Sequence, residues 1–162
     1  DCRLWVFHPG LRTGTSYFYP GLDWRLNLDS VRVLLRWARK CDVEIAIENV
    51  PEPYPFLMKS VHDFSRFYDE LNEDIGLALD IGHTNLNRQT QDFITQFSHK
   101  IVHIHVSDND GNHDSHLGIG YGTTDWTNVV KAIKTIKYGN VIMLESVENV
   151  EESLQTLRKL FA

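Results

Sequence analysis

Five side chains of this sequence can bind cations or move protons, and each stands at the end of a short apolar run. His8 follows Leu4–Phe7, Glu48 follows Val43–Ile47, Asp80 follows Ile75–Leu79, His105 follows Ile101–Ile104 and Glu145 follows Val141–Leu144. A lone glutamate after a strand is more often a surface or helix-start residue. The same placement at all five run ends is hard to attribute to chance. Carboxylates gathered at one place repel one another unless a cation lies between them. The set Glu48, Asp80, His105 and Glu145 therefore reads as one metal position. Carboxylate and imidazole without thiolate suit Mn²⁺ or Zn²⁺ foremost, then Co²⁺, Fe²⁺ or Mg²⁺, and do not suit a closed structural zinc site.

A second layer of candidates surrounds that set. His83 comes three residues after Asp80, and Asp114 and His116 share one loop as Asp-x-His. A bent loop of that pattern can place two ligands on one ion, and His83 could reach the same cavity. Read alone, either histidine could equally be a plain loop residue. Asp108 and Asn109 follow His105 closely, and a hydrogen bond from such a residue would fix an imidazole tautomer. Asp108 could also simply cap its turn. Trp5, Trp24, Trp37 and Trp126 read as core or loop packing.

The elements that must position these groups are β/α units. The apolar runs are short and rich in Val, Ile and Leu, as buried parallel strands are. Alternation places Glu48 with Ala46, Asp80 with Ala78, His105 with His103 and Glu145 with Met143, while the intervening apolar residues point the other way. Helical stripes lie between the runs. They comprise Leu28 to Ala38, Val61 to Leu71 with Ser60 as N-cap and Asp63 three residues on, the short Phe93, Ile94 and Phe97 set, and Trp126 to Ile136. The last runs from Val150 to Leu160, opened by Asn149 with Glu152 in capping-box register. Five units in 162 residues is a pitch of roughly 32 residues each. An eight-unit barrel of about 250 residues has nearly the same pitch. The expected fold is α/β: a single domain over 1–162 built as a partial (β/α)8 barrel, with five parallel strands and helices outside. A doubly wound open sheet is the competitor. Gly118-Ile119-Gly120-Tyr121-Gly122 follows a loop rather than a strand, so the dinucleotide-binding turn is missing.

Composition narrows the function classes. The chain is 42% hydrophobic and 23% charged, with a net charge of −6. That balance supports a real core and argues against a nucleic-acid surface covering the whole molecule, though a local basic cleft stays open. The two cysteines, Cys2 and Cys41, have no metal-ligand spacing and form no disulfide framework, which fits a reducing, cytoplasmic setting. No apolar run approaches the roughly 20 residues of a membrane span. The chain opens on Asp1, almost directly into a strand, as a piece of a longer polypeptide would.

The motifs resemble those of the xylose isomerase-like barrel superfamily, which holds sugar and sugar-phosphate isomerases and epimerases and the endonuclease IV-type apurinic endonucleases. The matching pieces are Phe7-His8-Pro9-Gly10, Glu48-Asn49, Leu79-Asp80-Ile81-Gly82-His83, His103-Ile104-His105-Val106-Ser107-Asp108, Asp114-Ser115-His116-Leu117-Gly118-Ile119-Gly120 and Leu144-Glu145-Ser146. They cover nearly the whole chain in the family's order, and point to the superfamily rather than to one member. The resemblance implies a shared metal position at Glu48, Asp80, His105 and Glu145. In the epimerase branch it implies Glu48 and Glu145 as an acid/base pair about the substrate carbon, and His83 as a substrate-binding histidine. In the endonuclease branch it implies several Zn²⁺ ions held by His8, Glu48, Asp80, His83, His105, Asp114, His116 and Glu145. The series begins at the family's fourth strand, so the N-terminal three strands are missing, and with them another histidine of the zinc cluster. The two sheet edges are then left for the missing N-terminal part of the same protein or for homo-oligomer contacts.

The leading expectation is an isomerase or epimerase of a small sugar or sugar phosphate. A divalent ion stabilises the enediolate that forms when a proton leaves the carbon beside the carbonyl, and Glu48 or Glu145 carries that proton. The runner-up is hydrolysis of a phosphodiester at abasic DNA, the one reading in which DNA is a partner. A non-catalytic fragment or assembly module is the third. No membrane partner is expected.

Overall fold

The computed structural model describes residues 2–162. Its sheet has five strands, β1 (Leu4–Phe7), β2 (Glu44–Glu48), β3 (Gly76–Asp80), β4 (Ile101–Val106) and β5 (Ile142–Leu144). All neighbouring pairs are parallel and the spatial order is the chain order. The sheet curls into a partial barrel with helices outside, as the alternation predicts. No central reversal of order occurs, which removes the doubly wound alternative. Strand bounds differ from the sequence reading by one or two residues, because Glu48, Asp80 and His105 themselves belong to the ladders.

Among the described residues, seven helices connect and follow the strands: α1 (Thr15–Phe18), α2 (Leu22–Cys41), α3 (Val61–Leu71), α4 (Ile81–Leu86), α5 (Thr90–Gln96), α6 (Trp126–Thr135) and α7 (Val150–Phe161). The core lies between the sheet's outer face and these helices. Ile45, Ile47, Leu77, Leu79, Ile104 and Val106 point into it and meet Val31, Phe64, Phe67, Phe93 and Ile133. The inner face carries small Ala46 and Ala78 in the middle, and both are fully buried. Gly76 lies so near Val102 that a Cβ there would overlap the valine side chain, beside the register shift between Leu77 and Ala78.

Ser60 and Asp63 form a complete capping box at α3. The matching expectation at α7 is corrected. Asn149 is the N-cap residue, but it sits at φ 51°, and its side chain caps nothing. In that left-handed conformation the side chain is aimed away from the first-turn N–H groups. The tryptophans divide as well. Trp24 and Trp126 are buried, whereas Trp5 on the edge strand and Trp37 on α2 are 48% and 59% exposed. Among the described residues, no helix is long and apolar enough to cross a membrane.

Candidate metal centre

The strand ends set the site. Glu48 closes β2, Asp80 closes β3, and His105 lies one residue before the end of β4. Glu145 comes one residue after β5, where its N–H still extends the ladder to the Val106 carbonyl at 2.9 Å. His8 comes one residue after β1. Ligand atoms of Glu48, Asp80 and His105 all lie within 4.8 Å of one another, and the three residues are buried. His105 Nδ1 is 3.3 Å from Glu48 Oε1, 3.4 Å from Glu145 Oε1 and 4.0 Å from Asp80 Oδ2. His8 Nε2 reaches Glu48 Oε2 at 3.4 Å.

Asp80 shows how local structure prepares a ligand. It is the N-cap of α4, and its Oδ1 accepts the His83 N–H at 2.6 Å. Its other oxygen, Oδ2, is buried with no hydrogen-bond partner, as is His105 Nδ1. One carboxylate oxygen thus fixes the turn while the other faces the cavity. Gly82 permits this turn, since a Cβ there would come within 2.8 Å of Ser107 Oγ and 3.3 Å of Asp80 Oδ1. Asn49 locks the two strand ends together. Its side chain accepts from Asp80 N at 2.8 Å and donates to Asp80 O at 3.0 Å.

A second group forms beside the first. Ligand atoms of His83, Asp114 and His116 lie within 4.8 Å of one another. His83 Nδ1 donates to the Asn49 carbonyl at 2.8 Å, and His116 Nδ1 donates to the Glu145 carbonyl at 3.0 Å. Both rings therefore turn Nε2 toward Asp114, at 3.2 Å from Oδ2 for His83 and 3.5 Å from Oδ1 for His116. Asp114 Oδ1 is buried without a hydrogen-bond partner. His83 Nδ1 also lies 3.5 Å from Glu48 Oε1, so the two groups adjoin.

The charges are strongly coupled. Burial pushes Glu48 up, but the imidazoles of His105 and His8 beside it outweigh burial and hold it at about 2. Burial pushes Asp80 up to about 6 against the opposing pull of His83. Burial lowers His83, yet the carboxylates of Asp80 and Asp114 win and raise it to about 9. His105 is raised too, with burial overcome by Glu48. Positive charge is thus held among these carboxylates as protons on imidazole, and a divalent ion would replace those protons. The orphaned Asp80 Oδ2, His105 Nδ1 and Asp114 Oδ1, with a thiolate-free donor set, fit such an ion.

Sequence reasoning missed two parts of this arrangement. Asp108 touches no imidazole. Its buried carboxylate accepts from Asn109 N, Gly120 N, Thr124 N and Trp126 Nε1 at 2.9–3.1 Å and so organises the loop that carries Asp114 and His116. Backbone carbonyls fix the His83 and His116 tautomers instead. No side-chain motif announces a carbonyl, so neither contact had a sequence signal. Asn49 stood in the sequence reading only as part of the Glu48-Asn49 motif, with no role, and its bridge to Asp80 comes from the structure.

Comparison with known proteins agrees with this architecture. A model of the family described as xylose isomerase-like TIM barrel matches residues 1–160. The uncharacterized protein MJ1614 of Methanocaldococcus jannaschii is 31% identical over 99% of this chain and 62% of its own length. A D-tagatose 3-epimerase-like protein superposes with a TM-score of 0.89 at 24% identity, over 98% of this chain and 61% of that one. An L-ribulose 3-epimerase gives a TM-score of 0.74 at 22% identity, over 99% of this chain and 54% of that one. The chain spans 54–62% of the length of the curated relatives it matches.

Proposed function

Because the chain belongs to the xylose isomerase-like TIM barrel family, we propose that it forms the metal-binding part of an enzyme that isomerises or epimerises a small sugar or sugar phosphate. The observation that carries this reading is the convergence of Glu48, Asp80, His105 and Glu145 at one rim, with buried ligand atoms left unpartnered. The epimerase names of the structural neighbours support it.

The acid/base work falls to Glu48 and Glu145. Glu48 Oε1 and Glu145 Oε1 reach the same His105 Nδ1, at 3.3 and 3.4 Å, from the ends of different strands, so both carboxylates border one substrate position. One carboxylate oxygen takes the proton beside the carbonyl, and the same or the opposite one returns it. Asp80 Oδ2 and His105 Nδ1 hold the cation position. His83, fixed by the Asn49 carbonyl, orients a substrate oxygen. A bound Mn²⁺ or Zn²⁺ would supply the positive charge that stabilises the enediolate. The enzyme works in a reducing, cytoplasmic setting, consistent with two free, exposed cysteines.

One observation favours a second reading. The His83, Asp114 and His116 group offers a further ion a place, as the zinc cluster of an apurinic endonuclease would need. The test is a metal analysis of the intact protein with parallel assays on a ketose panel and on abasic duplex DNA. The proposed function expects sugar interconversion with one principal ion and little loss on Asp114→Ala or His116→Ala. Several bound zinc ions, strong dependence on those two residues and strand cleavage without sugar turnover would overturn it.

A further inference from the structure

The rim beside the metal centre has an aromatic wall that the acid/base chemistry does not use. The loops after β1 and β2 are zipped together: Leu57 N donates to Gly10 O at 2.9 Å, Arg12 N to Pro55 O at 2.6 Å, and Leu11 pairs with Phe56 in an antiparallel bridge. This zipper sets the Phe56 ring edge-on to His8, with centroids 5.6 Å apart, and His8 is itself in contact with Glu48. Tyr54 continues the wall, 6.5 Å from Phe56 and 48% exposed. Nothing in the core requires Tyr54 to stand there.

Charge on the opposite side of the rim points to the ligand that suits this wall. β/α barrels commonly hold phosphate with the loops after their last two strands. Here the segments 107–125 and 145–149 contain no lysine or arginine, and α7 opens with Glu151 and Glu152. A phosphate would find no lysine or arginine in these segments, and the carboxylates of Asp114, Glu145 and Glu148 would repel it. A neutral sugar faces no such penalty, and its C–H groups, polarised by the neighbouring oxygens, suit the electron-rich face of an aromatic ring.

Resting on the proposed function, we propose that Phe56, continued by Tyr54, is the wall on which an unphosphorylated sugar lays its C–H face, and that these two side chains position the substrate and set its choice. The test uses the Mn²⁺-loaded intact protein with D-fructose, D-tagatose, D-psicose and D-fructose 6-phosphate. The free ketoses should be turned over in preference to the phosphate ester. Phe56→Ala and Tyr54→Ala should each raise KM about three- to tenfold with kcat held within about twofold, as the loss of an aromatic contact predicts. Phe56→Trp should restore KM and Phe56→Leu should not. Saturation transferred from irradiated aromatic protons to sugar C–H protons should fall in both alanine variants, a signal that a purely structural role would not produce. Unchanged metal affinity checks that each variant folds, and the exposed Tyr54 keeps the test open if Phe56→Ala does not. Unchanged KM in Tyr54→Ala and Phe56→Ala, or preference for the phosphate ester, overturns the wall while leaving the proposed function standing. A wild-type protein that turns over no ketose overturns both.

Discussion

At the scale of single residues, the centre depends on groups whose second atom is already committed. Asp80 spends Oδ1 on capping α4, and His83 and His116 spend Nδ1 on backbone carbonyls. What remains, Asp80 Oδ2 and the two Nε2 atoms, has one direction to face. Asp80→Asn and Glu48→Gln should therefore weaken Mn²⁺ or Zn²⁺ binding about 10- to 100-fold in competition with a chelating dye. Unaltered affinity in both would contradict the assignment. A proton balance follows from His83. Its pKa, raised to about 9 from the ordinary 6.5, keeps it protonated at pH 7.5 in the metal-free protein. Under the second reading an ion taken up by the His83, Asp114 and His116 group must displace that proton, so zinc addition would acidify a weakly buffered solution and binding would weaken as pH falls, whereas under the proposed function His83 keeps its proton when the single ion binds. Under the second reading His83→Ala would remove that part of the proton release. Much of this residue set was legible in the sequence, because a polar residue at the end of an apolar run needs only strand alternation to be placed. The hydrogen bonds of Asp108 were not, since its partners Gly120, Thr124 and Trp126 lie 12 to 18 positions away and no local pattern ties them to it.

At the scale of elements, two buried polar side chains hold the loops and strand ends in register. Asn49 bridges β2 to β3 through both Asp80 backbone groups. Asn49→Ala leaves that buried N–H and C=O unpaired and should cost about 2–3 kcal/mol in denaturant unfolding. Asp108→Ala strands the Trp126 indole N–H and three backbone N–H groups, and should cost about 3 kcal/mol while loosening the Asp114 and His116 loop. Ser60→Ala, at the capping box of α3, should cost about 1 kcal/mol. A Cβ at Gly122 would collide with the Asn109 backbone and the Asp108 carboxylate, which is why that loop can close so tightly. The capping box was readable because Ser-x-x-Asp precedes an apolar stripe. The same register at Asn149 misled, since spacing carries no information about φ. α4 escaped the sequence reading because six residues, one of them Gly82, present no repeating apolar stripe.

At the scale of the whole molecule, both ends of the curled sheet are open. Trp5 is exposed on β1, and Met143 on β5 with Val141 just before it and Val150 and Leu154 on α7. We propose that further β/α units of a longer polypeptide cover these edges, as the greater length of the relatives suggests. The five-strand arc was legible because pitch and strand-end chemistry agree along the chain. What covers its edges was not, because an apolar edge residue reads the same whether its partner is near or absent. The central claim, proton transfer at the carbon beside a sugar carbonyl, is tested most directly by isotope wash-in. The Mn²⁺-loaded intact protein is incubated with a ketose panel in D₂O and followed by NMR. Deuterium should enter the carbon next to the carbonyl, and Glu48→Gln and Glu145→Gln variants shown to retain metal should abolish or strongly slow its entry. Sugars that remain fully protonated in the presence of the metal-loaded wild-type protein would contradict the account.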